Sequence, residues 1–252
     1  MGNTIIEATM AAMDDFHKSH CAYIQSINYI LETEKASREG AEGIRRSSDK
    51  LNEYTKVFGM SPIQYLKGSL FFSQITAIEI FFQRVVKSIV REHPKKLGSI
   101  QFKLNQILDA GSIKEVVDQA IDEYLNRLMY KKPLEYLDGI CDILSINKET
   151  LVPFWANFIE AKARRDVGIH NNWVCNDIYV RKVQEAAMVP AHKPGELIVP
   201  SDSEYIFAST DNLWNIVRKI SEVISWKYCQ LECNNVSCPR WKKECSTVTI
   251  NN

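Results

Sequence analysis

The sequence has no excess of charge of either sign, no Cys-x-x-Cys pair and no long apolar run, and each absence removes a class of function. Thirty-one Lys plus Arg balance 31 Asp plus Glu, so nothing points to tight, non-specific binding of a nucleic-acid backbone. Any contact with RNA has to be local. The longest apolar stretch, LFFSQITAIEIFF at 70–82, carries Gln74 and Glu79 and is too short and too polar to cross a bilayer. The opening residues, MGNTIIEATMAAMDDFHKSH, lack a basic start and soon meet acids, which argues against a secretory signal. Seven cysteines, an odd number, fit free thiols or a metal site in a reducing, cytoplasmic compartment better than a disulfide framework.

What is present is apolar periodicity of the helical kind, in a chain whose 45% hydrophobic content is ample for a packed core. Residues 3–35 read as one or two amphipathic helices, and the charged, glycine-containing stretch to Lys50 as a solvated linker or a frayed helix end. Ser61-Pro62 supplies an N-cap and a first-turn proline, predicting a core helix over 62–92 that His93-Pro94 ends. Ser112 with Glu115 forms a capping-box pattern before a helix at about 113–130, and two more follow near 133–145 and 148–167. Prolines 190, 194 and 200 divide the short runs ELIV and EYIF, predicting a small hairpin or an irregular flap at 188–208. Thr210 or Asp211 then caps a last helix. The division expected is an N-terminal helical extension at 1–60, a helical domain at 61–228 and a cysteine-rich tail at 229–252.

The chemistry-bearing segment is EAKARRDVGIHNN, Glu160 to Asn172. Asp166 and His170 are four apart and share a helix face, so the carboxylate can orient the imidazole. Arg165 sits roughly 140° from His170 on an ideal helix, unless a distortion at Gly168 brings the two toward one phosphate. Imidazole moves protons near neutral pH and a guanidinium fork stabilises charge on a phosphoryl group, which together suit metal-independent RNA cleavage by the 2′-hydroxyl. No set of carboxylates with two-metal spacing accompanies them, so no cofactor is called for in catalysis. The plain alternative is that Arg164, Arg165 and His170 complement the dipole at a helix end.

RRDVGIHNN resembles the signature of the HEPN superfamily (higher eukaryotes and prokaryotes nucleotide-binding): an Arg, a polar residue, a few positions, a His and often an Asn. TAIEIFFQRVVKSIVREHPKKL is similar to the long core helix of stand-alone HEPN proteins, AIDEYLNRLMYKKPLEYLDGICDILSI to the helical pair before the motif, and NDIYVRKV to the segment after it. The likeness covers about 62–228. It implies an all-α antiparallel bundle, usually a homodimer with two motifs facing across a cleft, acting on RNA as a toxin-like or antiviral defence effector with an antitoxin or defence-system partner. Carried over, Arg165 and His170 are the principal catalytic positions, Asp166 the polar position and Asn171 the residue after His. Asp166 departs from the commoner Asn. Some HEPN domains are non-catalytic modules that bind RNA, nucleotide or a partner protein.

Glu79, in an otherwise apolar helix, needs a cationic partner, and an arginine of the motif is one candidate, with Arg164 in a supporting role. Lys162, Arg181 and Lys182 are candidates for a local phosphate patch, or else a solvated face. Trp173 is a candidate for stacking on an unpaired base, or else for dimer packing. Cys229, Cys233, Cys238 and Cys245 hold a structural zinc or form a tail of reduced thiols. His17 and His20, three apart, read as a metal pair or as solvent-facing residues. A homodimer is expected because 62–92 is apolar on more faces than a few neighbouring helices would bury.

Overall fold

The computed structural model of the chain describes residues 2–39, 55, 59–98 and 110–233. Among these residues the protein is all-α, with seven α-helices and no sheet. They are α1 Gly2–Arg38, α2 Pro62–Glu92, α3 Ile113–Met129, α4 Pro133–Leu144, α5 Val152–Asn171, α6 Asp177–Glu185 and α7 Ser203–Cys233, with 3-10 turns at Pro94–Leu97 and Lys148–Thr150. None of the described helices is long and apolar enough to cross a membrane.

Local signals set most of the boundaries. At the start of α2 the Ser61 hydroxyl accepts from the Gln64 N–H at 3.1 Å while the Gln64 side chain accepts from the Ser61 N–H at 2.9 Å, so two orphan donors are satisfied reciprocally. The helix stops at His93, before Pro94. At α3 the Ser112 hydroxyl accepts from the Glu115 N–H, but the Glu115 carboxylate turns back to the Gly111 N–H at 2.7 Å, one residue earlier than a capping box would have it.

α2 is the axis of the bundle. Its buried face, from Phe71 and Ile75 through Ile78, Phe81, Phe82, Val85 and Val86 to Ile89, packs against α1, α3, α4, α5 and α7. Helices of one chain cover most of the apolar residues of α2, while Tyr65, Leu66 and Ile80 stay exposed. α1 is a single helix whose Ile5, Ala12 and Phe16 enter the same core, while Tyr23 and Ile27 pack with Ile206 of α7. The spacing of these residues is that of a core-facing stripe, so α1 is a layer of the bundle rather than an appendage to it.

The 188–208 stretch forms no hairpin. ELIV lies instead along 173–175, with the Cys175 N–H donating to the Glu196 carbonyl and the Ile198 N–H to the Trp173 carbonyl, both at 2.8 Å. EYIF is the first turn of α7, because the Asp202 carboxylate caps it by accepting from the Tyr205 N–H at 3.1 Å. Thr210, expected as the cap, sits inside the helix and donates to the Ile206 carbonyl.

Candidate functional site

The segment carrying Arg165 and His170 is helical to Asn171, where the sequence pattern predicts an end near 167. Gly168 introduces no distortion. Its role is packing: a Cβ there would come within 2.7 Å of both Trp173 and Phe72, and one on Gly68 of α2 within 2.6 Å of Trp173. The two glycines form the slot in which Trp173 lies, stacked on Phe72 at 4.8 Å and only 3% exposed. Asn172 and Trp173 both adopt positive φ to turn the chain into that slot, and both N–H groups point at the Val167 carbonyl. Trp173 is thus a core residue and not a platform for a base.

Two adjacent arginines on α5 have opposite surroundings. Arg164 is 6% exposed and its Nε donates to Glu160 Oε1 at 2.8 Å. Its Nη2 lies 3.0 Å from His192 Nε2, and its guanidinium sits 3.9 Å over the Tyr205 ring. Glu160 also accepts from the Tyr179 and Tyr205 hydroxyls, each at 2.7 Å. Burial, reinforced by the Glu160 carboxylate, pushes both phenols above the ordinary tyrosine range, so both remain donors. Arg164 is a fastener for α5, α6 and α7.

Arg165 belongs to a chain of charges that opens on the surface. Its Nη2 donates to Glu79 Oε1 at 2.8 Å, and the same oxygen holds the Lys162 ammonium. Asp166 faces Lys182 at 3.0 Å and lies 3.1 Å from Arg165 Nε, but off the angle of a hydrogen bond, so that N–H has no acceptor among the described residues. Three cations face two carboxylates, and the Arg165 Nε–H is buried against Asp166. Asp166 is held by cations and does not orient His170.

His170 is exposed on the last turn of α5 and forms no hydrogen bond with any described residue. Because the helix is regular, it points roughly 140° away from Arg165. Asn171 is the last residue of the helix, its Nδ2 donating to the Val174 carbonyl beyond the end at 2.6 Å. Exposed Ile169, Val174 and Leu197 lie around the same end of α5.

Beside the charge chain is a groove of about 340 Å³ between the α3–α4 turn and the α5 and α6 helices. Lys162, Arg181 and Lys182 line it, together with Tyr130, Lys131 and Lys132, which sequence reasoning did not single out. The run Tyr-Lys-Lys-Pro was the available signal, but nothing local showed that it faces Arg181.

His17 and His20 do not form a metal pair. His17 Nε2 contacts Cys21 Sγ at 3.4 Å, and both rings pack on Trp214. Burial holds His20 below the ordinary imidazole range, with His17 adding to it. Of the proposed zinc set, Cys229 lies on α7 and Cys233 is its last residue, while Cys238 and Cys245 fall outside the described residues. The described residues contain no cluster of three potential metal ligands. Comparison with known proteins finds no matching family model, curated protein or solved structure.

Proposed function

We propose that the protein is a metal-independent endoribonuclease of HEPN type, with Arg165 and His170 as its catalytic residues. The observation that carries this is an exposed imidazole and an arginine on one helix, the arginine sharing Glu79 with Lys162, which lines a cation-rich groove. The 2′-hydroxyl oxygen attacks the adjacent phosphorus and its proton passes to His170. The bond from phosphorus to the 5′-oxygen breaks, and solvent protonates the leaving oxygen. The negative charge on the phosphoryl oxygens is met by Arg165. One fragment ends in a 2′,3′-cyclic phosphate and the other begins with a 5′-hydroxyl.

Divergence of the two side chains within one helix favours a homodimer, in which the cleft is completed by a second copy. The exposed Ile169, Val174 and Leu197 around His170 supply apolar surface for that contact. The expected result is RNA cleavage that persists in EDTA, is lost on His170→Ala, and falls when Leu197→Asp yields a monomer by light scattering. A requirement for Mg²⁺, or full cleavage by His170→Ala, contradicts it.

The fixed hold of Glu79 and Asp166 on Arg165 favours a second reading, a non-catalytic HEPN module that binds RNA, nucleotide or a partner protein at the same place. That reading predicts RNA or nucleotide binding with no cleavage by the wild-type protein.

A further inference from the structure

Many surface cations are neutralised one by one, as Arg84 with Asp15, Lys87 with Asp122, Arg91 with Asp118 and Lys148 with Asp138, while Lys35, Lys95, Lys114 and Lys193, unpaired among the described residues, lie far apart in the chain. The groove of about 340 Å³ is different. Lys131, Lys132 and Arg181 are exposed there, and no described carboxylate pairs with them. Lys162 and Lys182 complete a wall of five cations against one lining acid, Glu185. The ring of Tyr130, next in the chain to Lys131, is 91% exposed beside them. No described part of the fold uses that ring, and leaving a large aromatic side chain so exposed buries almost none of its apolar area.

Clustered unpaired cations beside a bare aromatic face match the two things a single nucleic-acid strand offers, a row of phosphates and unstacked bases. A duplex offers the phosphates but keeps its bases stacked. We infer that this groove seats the backbone of single-stranded RNA, with phosphates on Lys131, Lys132 and Arg181 and an adjacent base on Tyr130. The groove leads to the catalytic position proposed above through one shared atom: Lys162, on its wall, and Arg165 are both held by Glu79 Oε1. Arg165 does not itself line the groove, so the meeting of a strand's next phosphate with the guanidinium rests on the ribonuclease reading.

The test separates binding from cleavage. The probe is a fluorescent single-stranded RNA 12-mer, titrated by anisotropy against the His170→Ala protein at several salt concentrations, with single-stranded DNA and duplex RNA of the same sequence as the other arms. Lys131→Gln with Lys132→Gln should weaken single-strand binding and reduce the slope of log K against log salt by about 1.4, roughly 0.7 for each phosphate no longer neutralised. Tyr130→Ala should weaken it by about tenfold, the loss of one stacked base. Both variants should keep wild-type helicity, since these side chains are exposed and the Lys132 side chain makes no cap contact with α4. An unchanged slope, tighter binding of the duplex than of the single strand, or no binding at all would overturn the groove assignment. Failure of the wild-type protein to cleave, with these binding effects intact, would remove the ribonuclease reading and leave the groove standing.

Discussion

Arg164 and Arg165 are neighbours on one helix and illustrate how burial decides what a charged group can do. Arg164 has its Nε and Nη2 donors engaged by Glu160 and His192 and its planar guanidinium laid on the Tyr205 ring, and its carboxylate partner is in turn held by two hydroxyls. Such a network is closed in on itself by burial and by its own partners. Arg165 shares its carboxylate with Lys162, which lines an open groove, and its buried Nε–H lies against Asp166 without a hydrogen bond. The first cluster fastens the helices together; the second is an ion-pair chain that reaches the surface at Lys182. Sequence spacing treats the two arginines alike, and only their surroundings separate them.

The contrast can be broken from either side. The largest effect on stability is expected at the closed cluster: Glu160→Ala leaves a buried guanidinium without its counter-ion and should cost about 3–5 kcal/mol in denaturant titration. A loss below about 1 kcal/mol would mean that Arg164 reaches water and that the clusters do not differ in kind. Next comes the slot beneath the motif. Gly168→Ala drives a methyl into Trp173 and Phe72 and should cost about 1–3 kcal/mol, with a shift in tryptophan fluorescence, where a hinge at this position would tolerate the change.

Smaller still is the expected pH dependence from His20, which faces Phe16, His17, Trp214 and Gln74, with Asp211 near enough to favour its charged form. Its folded pKa lies below the ordinary 6.5, so the unfolded chain binds the proton first as pH falls. Its contribution is complete above about 6.5 and is lost progressively below it, and His20→Gln should flatten that part of the stability profile. The smallest change belongs to the open end of α5: His170→Ala should leave stability within about 0.5 kcal/mol of wild type, because the imidazole is exposed and bonds to no described residue.

How far these features were legible follows the range of the forces behind them. The cap at Ser61, the stop at His93-Pro94 and the core position of α2 are written within a turn or two of the residues concerned, and the structure has them where the sequence puts them. The burial of Trp173 is not local. It depends on Gly68 and Gly168 meeting across two helices, whereas sequence alone left Trp173 between stacking on a base and packing in a dimer. The start of α7 was missed for a related reason: EYIF has the composition of a strand, but Asp202 caps it as a helix and Ile206 finds its partners in α1. In the site, Arg165 and Glu79 come from complementary charge, whereas the groove needs Lys131 and Lys132 from one turn to face Arg181 from a helix some fifty residues on.

The most direct measurement is a cleavage assay on an RNA oligonucleotide carrying a single 2′-deoxy residue at a mapped cleavage site, in EDTA, with the ends of the products identified. Catalysis by His170 and Arg165 through the 2′-hydroxyl predicts that the unmodified strand yields 2′,3′-cyclic phosphate and 5′-hydroxyl ends. The modified position should remain intact, and His170→Ala should reduce the rate by about a hundredfold or more. Cleavage at the 2′-deoxy position, or products with 5′-phosphate ends, would contradict it.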